Sequence, residues 1–318
     1  MDNLAHALVG AVLGEAGLRR RTGLATPCLV IAANLPDIDV LGPLLFGAPL
    51  DFRRGWTHGP LGLVLLPPLL ALLLWSFDRR QARRGTRPAA RDPVHFGWLL
   101  ALAWIGALTH PLLDWLNTYG VRPLMPFSRQ WFYGDTLFVI DPLLWAVLLM
   151  GVFLARRRRA RGKASPALPA TIAIASALGY IGLMSAAGRI AERAAVRDLA
   201  TQGLGTPELV LASPLPANPF KRHIIYRLDG SYGFGDVDFT PKPSVSWLPE
   251  RAEIGLDHPA VVRASRLGEL PGYLAWSRLP YAELGQDEKG AWVKLHDARY
   301  RRVYQEAGLV AAVRLPSN

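Results

Sequence analysis

His110 and Asp114 stand four residues apart in "ALTHPLLDWLNTYG" (107–120), near the end of the apolar run "FGWLLALAWIGALTHPLLDW". On a helix, side chains at i and i+4 project from one face, so an imidazole and a carboxylate would lie side by side. Other ionisable residues in or beside apolar stretches are His6, Asp37, Asp39, His58 and Asp141. Charge within a bilayer is costly and is kept where it pairs or does chemistry. Three imidazoles with two to four carboxylates make a donor set for Zn²⁺, or for Mn²⁺, as one ion or a pair. Without a cation, the carboxylates would repel one another while deprived of water; a divalent ion offsets both costs.

Each residue also has an ordinary use. Asp37 or Asp114 alone can cap a helix, and Asp141 before Pro142 reads as an N-cap. His95 beside a basic loop reads as a packing residue, and Glu15 as the i+4 partner of Arg19. The metal reading rests on the residues acting together.

The elements that must position them are six apolar segments, at about 4–18, 24–36, 60–77, 97–116, 139–155 and 168–187. The last four approach the ~20 residues that cross a ~30 Å hydrocarbon core. The second is short and ends in "NLPDID", where Pro36 turns the chain out of the helix. Pro67 and Pro68 are expected to kink the third. Arginine runs at 19–21, 79–91 and 156–163 each close an apolar run. Placed on the cytoplasmic side, they orient all six segments consistently. His6, Asp37, Asp39, His58, His110, Asp114 and Asp141 then fall toward the outer end, and the N-terminus and residues 189–318 lie outside.

The chain of 318 residues is 51% hydrophobic and 19% charged, and its apolar residues crowd into 1–188. The expected architecture is mainly α: a polytopic helical membrane bundle over 1–188, followed by a small extramembrane β-rich (α+β) domain over 189–318. Strand-like "FKRHIIYRLDGSYGFGDVDF" (220–239), broken at Asp-Gly, predicts a hairpin. "AWVKL" (291–295) and "LVAAVRL" (309–315) predict further strands. The net charge of +11 sits at helix ends, which points to topology and anionic lipid rather than nucleic acid. A single cysteine, Cys28, allows no intrachain disulfide. The acidic "MDNLAHALVG" is not expected to be a cleaved leader.

"MDNLAHALVG", "NLPDIDVL", "RRGWTHGPLG" and "THPLLDWLNTYGVRPLMPFSRQWFYGDTLFVIDP" together resemble the YdjM-like inner-membrane metal-dependent hydrolases of prokaryotes, over about residues 1–155. The resemblance implies that His6, Asp37, Asp39, His58, His110 and Asp114 are its His and Asp motif positions. It also places Arg54, Trp131 and Asp135 in patterned stretches, and the protein in the inner membrane.

The function expected is hydrolysis by metal-activated water at the outer membrane face. A phosphoester or phosphoanhydride of a lipid or lipid-linked substrate is the favoured bond. Asp39 or Asp135 would take a proton, and Arg54 and Arg122 would steady an anion. The loop "YGVRPLMPFSRQWFYGD" would form an interfacial belt or a lip for lipid entry. The alternative is a non-catalytic scaffold or regulator with a structural metal, its C-terminal domain binding a protein partner. A cation path is disfavoured, because segments three to five carry almost no polar residues in their inner halves.

Overall fold

The computed structural model describes residues 1–47, 50–301 and 309–315. It divides into two compact units: Met1–Leu41 with Arg54–Leu183, and Gly42–Arg53 with Met184–Asn318. The units thus part at 183/184, against the 188/189 expected, and the segment 42–53 groups with the C-terminal unit.

The apolar segments become α1 (Asn3–Glu15), α2 (Ala25–Asn34), α3 (Leu41–Phe46), α4 (Pro60–Arg83), α5 (Phe96–Trp115), α6 (Pro142–Ala160) and α7 (Leu168–Thr201). Four helical runs are long and apolar enough to cross a membrane: Ala25–Phe46, Pro60–Arg83, Phe96–Trp115 and Leu168–Thr201. Two expectations change here. The second segment gains length because a 3-10 turn, Leu35–Val40, joins α2 to α3 instead of ending the helical run. The fifth is not among the four, since α6 ends in Arg156–Arg159. Its apolar part covers only about 21 Å at 1.5 Å per residue, short of the ~30 Å core. α4 continues through both Pro67 and Pro68.

Lipid tails are as apolar as leucine, so membrane helices associate through close packing of small residues. α2 sits at the centre of the first unit: Cys28, Leu29 and Ala32 pack with Leu99, Leu102 and Ala103 of α5 and Leu70 and Ala71 of α4. Two glycines set the spacing. A Cβ on Gly10 of α1 would lie 2.6 Å from the Leu29 carbonyl oxygen, and one on Gly106 of α5 would lie 2.8 Å from the Ala32 Cβ. At the arginine-rich end, buried Glu15 accepts from Arg156 at 3.0 Å and from Arg159, with Arg19 farther off at 3.8 Å.

In the second unit, β1 (Leu209–Leu215), β2 (Asn218–Leu228), β3 (Ser231–Asp238) and β4 (Ser244–Glu253) form an antiparallel sheet in chain order. β5 (Pro280–Asp287), β6 (Gly290–Asp297) and β7 (Ala311–Arg314) form a second antiparallel sheet. The expected hairpin turns at Asp229 and Gly230, whose φ values of 49° and 72° suit a two-residue turn between twisted strands. One face of the first sheet buries Ala212, Ile224 and Val237 against Ala191 and Ala195 of α7. The other packs Leu211, Ile225 and Phe234 with Leu279, Tyr281 and Ala298. Two short helices, α8 (Pro259–Ala264) and α9 (Leu270–Trp276), complete the unit, and the turn Leu50–Phe52 lies against α9.

Asp297 ties the second sheet together. Its carboxylate accepts a bidentate pair from Arg299 at 2.8 and 2.7 Å, the Ser277 hydroxyl at 2.6 Å and the Arg278 amide at 2.9 Å. Burial pushes its pKa up, but the Arg299 charge and these donors outweigh burial and hold it below the usual carboxylate value. A folded pKa below the unfolded one means stability that is present above the unfolded value and lost as pH falls through the folded one. Asp297→Asn is expected to destabilise the domain by about 3 kcal/mol and to flatten the acid limb of a melting-temperature profile. A variant with an unchanged acid limb would contradict this role.

Candidate metal centre

The centre begins with α5. His110 and Asp114 lie one turn apart on the buried face of the helix, and Pro111 is accommodated within it. The His110 Nδ1 is 2.6 Å from the Ala33 carbonyl oxygen at the end of α2. A carbonyl only accepts, so Nδ1 carries the proton and Nε2 presents its lone pair inward. His58 reaches the same space from the turn before α4. Its Nδ1 is 3.0 Å from the Thr57 hydroxyl and 3.5 Å from the Asp39 carboxylate, a chain of acceptors that again protonates Nδ1.

The two Nε2 atoms therefore face each other at 3.1 Å. Asp114 Oδ2 lies 3.3 Å from His58 Nε2 and 3.4 Å from His110 Nε2. Asp37 Oδ1, from the 3-10 turn after α2, lies 3.9 and 3.8 Å from the same atoms. Asp37, His58, His110 and Asp114 thus each offer one donor atom, all within 4.8 Å of one another. The Arg54 guanidinium and the Met1 ammonium, both beside Asp114, balance the two carboxylates, but the opposed imidazole lone pairs still repel one another, and nitrogen with carboxylate oxygen is a donor set for Zn²⁺ or Mn²⁺. The buried Asp114 Oδ2 also makes no hydrogen bond of good geometry. These residues fit a divalent metal.

The remaining predicted residues surround this group. His6 of α1 stacks on His110, with ring centroids 3.7 Å apart, and its Nε2 is 3.4 Å from Asp114 Oδ1. Both His6 ring nitrogens are buried without a hydrogen-bond partner. Asp39 lies on the Nδ1 side of His58, where it also accepts the Arg54 amide at 2.6 Å and the Thr57 hydroxyl at 3.4 Å. Arg54 is buried at a left-handed φ of 54°. Its Nε meets Asp114 Oδ2 at 3.1 Å, its Nη1 donates to Asn117 and to the Gly120 carbonyl, both at 3.1 Å, and its plane covers Tyr119. That arrangement positions a carboxylate. Arg122 is also buried, its guanidinium 4.7 Å above the Trp131 ring. Asp135, half-buried at a φ of 46°, belongs to the loop between α5 and α6 and is outside the group of four. Asp141 caps α6 through the Leu144 amide at 2.9 Å and accepts the Tyr180 hydroxyl at 3.0 Å.

Asn117 was missed from sequence. Its amide donates to Asp114 Oδ1 at 3.5 Å, while its Oδ1 accepts Arg54 Nη1 and the Tyr119 and Gly120 amides. Its place three residues beyond Asp114, at the close of an apolar helix, was the available signal. Partners that orient metal ligands are worth about 10–100-fold in affinity. Asn117→Ala is expected to lose metal to a competing chelator at a concentration lower by that factor. Equal retention would reduce Asn117 to a helix stop.

The arginine runs occupy the opposite end of the bundle: α1 and α6 both leave the site end, where Trp145 meets Asp2, and both reach the Glu15–Arg156 cluster. The family model described as YdjM inner membrane protein matches residues 1–188. No curated protein and no solved structure matches the chain.

Proposed function

The chain belongs to the YdjM inner membrane protein family, and from that premise and the buried His–Asp group we propose a metal-dependent hydrolase. In this reading it cleaves a phosphoester or phosphoanhydride of a lipid or lipid-linked substrate. The observation that carries the proposal is the pair of opposed imidazole nitrogens, 3.1 Å apart, with a carboxylate on either side.

Asp37, His58, His110 and Asp114 would hold the ion. A divalent cation bound there would lower the pKa of water toward neutral, so that hydroxide is available, and would polarise the bond to be broken. The chain does the rest. Ala33, Thr57 and Asp39 fix the imidazole tautomers, and Arg54 with Asn117 holds Asp114 in place. Asp37 is 7% exposed, whereas His58, His110 and Asp114 are fully buried. Asp39 stands on the Nδ1 side of His58, across the ring from the opposed Nε2 atoms, and serves there to orient that imidazole. Trp115 and Phe127, exposed near this end, suit an interfacial lip for lipid.

The orientation belongs to the proposal. With arginines toward the cytoplasm, the site end lies at the outer leaflet and residues 189–318 lie outside. A cysteine at residue 230 is expected to react with an impermeant maleimide in intact cells.

The test is metal analysis of purified protein, followed by turnover against a panel of lipid phosphates with Zn²⁺ or Mn²⁺. Protein that emerges metal-free even after supplementation would sink the metal centre. Bound metal with flat turnover would instead favour the scaffold, with its C-terminal domain as the binding part.

A further inference from the structure

At the other end of the bundle, Arg19, Arg156 and Arg159 converge on the single buried carboxylate of Glu15. Three guanidiniums on one carboxylate leave a surplus of two positive charges, on side chains that stay 33–55% exposed. The cluster forms one wall of a cavity of about 600 Å³, whose other walls are Ala90–Asp92, with the Asp92 carboxylate beside Arg91, and the chain from Thr22 into the start of α2. That volume lies within the usual range for ligand sites, roughly 300–1,000 Å³. α2 begins with no side-chain cap; the Ala25 amide is bonded to the Thr22 carbonyl and Pro27 has none, so its first turn brings the Thr26 amide and the positive end of its dipole to the same cavity.

From this convergence we infer that the cavity binds the phosphate headgroup of an anionic phospholipid, at the leaflet opposite the metal centre. Phosphate is the ligand that forked arginines and a helix N-terminus both select. A lipid is the source that the surroundings favour. The cavity wall continues along α2 through Pro27 and Val30 to the exposed Ile31, an apolar strip suited to an acyl chain. Glu15 acts as the anchor that gathers arginines from α6 and from the turn between α1 and α2 before the lipid arrives. The site is independent of the hydrolase reading.

The test uses the full-length protein in detergent, titrated with phosphatidylglycerol or phosphatidylcholine and followed by native mass spectrometry. The wild type is expected to retain phosphatidylglycerol in preference to phosphatidylcholine. R156Q/R159Q is expected to bind it about 30-fold more weakly, at ~1 kcal/mol for each of the two basic residues near a charged surface. R79Q/R80Q, which removes two arginines of α4 outside the cavity, is expected to change nothing. If R156Q/R159Q does not fold, R156Q alone carries the test, since that side chain is 55% exposed. The inference falls if R156Q matches the wild type, or if R79Q/R80Q lowers binding equally, which would indicate diffuse charge. It also falls if inorganic phosphate displaces the lipid at equal concentration, which would make a soluble phosphate the ligand.

Discussion

His110→Ala protein, purified beside the wild type, is expected to carry at least tenfold less divalent metal. His110 supplies one of the two opposed Nε2 atoms, and its ring is fixed at both ends, by the Ala33 carbonyl and by stacking on His6. Truncation removes a donor and the partner of His6 together. A metal that binds the folded state raises the melting temperature by mass action, so chelator should lower the wild-type value and leave that of the variant unchanged. His110→Gln separates metal loss from unfolding, since its amide can still donate toward Ala33. It too is expected to lose metal, and turnover should fall with it. Wild-type protein whose melting temperature ignores both chelator and added Zn²⁺ would contradict the metal centre, whatever the variants did.

The second large effect is expected at a residue that touches no ligand. Gly10 lies one turn after His6 on α1, and the space where its Cβ would sit is filled by the backbone of Leu29 and Val30, 2.6–2.8 Å away. Backbone atoms cannot swing aside, so Gly10→Val must push α1 off α2 and carry His6 away from His110. Overpacking of this kind costs about 1–3 kcal/mol or more. The variant is expected to melt several degrees lower and to bind metal more weakly, although every candidate donor remains. Gly97→Ala is the control, because nothing lies within 4 Å of the added Cβ. A Gly10→Val protein with wild-type stability and metal content would show that α1 is not held by that contact.

The same geometry explains what could be read along the chain. His110 and Asp114 were legible as a pair because helical periodicity alone puts i and i+4 on one face. The Asp-Gly hairpin was legible because its turn chemistry is local. Two membrane spans were harder to read. The 3-10 turn at Leu35–Val40 continues a run that Pro36 seemed to end, and Arg156–Arg159 cut α6 short. Asn117 and Thr57 escaped notice because a polar residue at a helix end or before a glycine turn reads as an ordinary cap. Only their partners, Asp114 and His58, give them a role.

Sequence by itself determined the residue types of the site, the helices that carry them, and the arginines that mark the far end, because each depends on composition or on neighbours within a turn. Tertiary structure alone decided which donors share one space. His58 and His110 are 52 residues apart in the chain, and their 3.1 Å approach comes from the packing of α4, which His58 precedes, against α5. It also assigned Asp39 to the outer side of His58 and the Arg54 guanidinium to Asp114. Those distances arise from packing between distant segments, which no local pattern encodes.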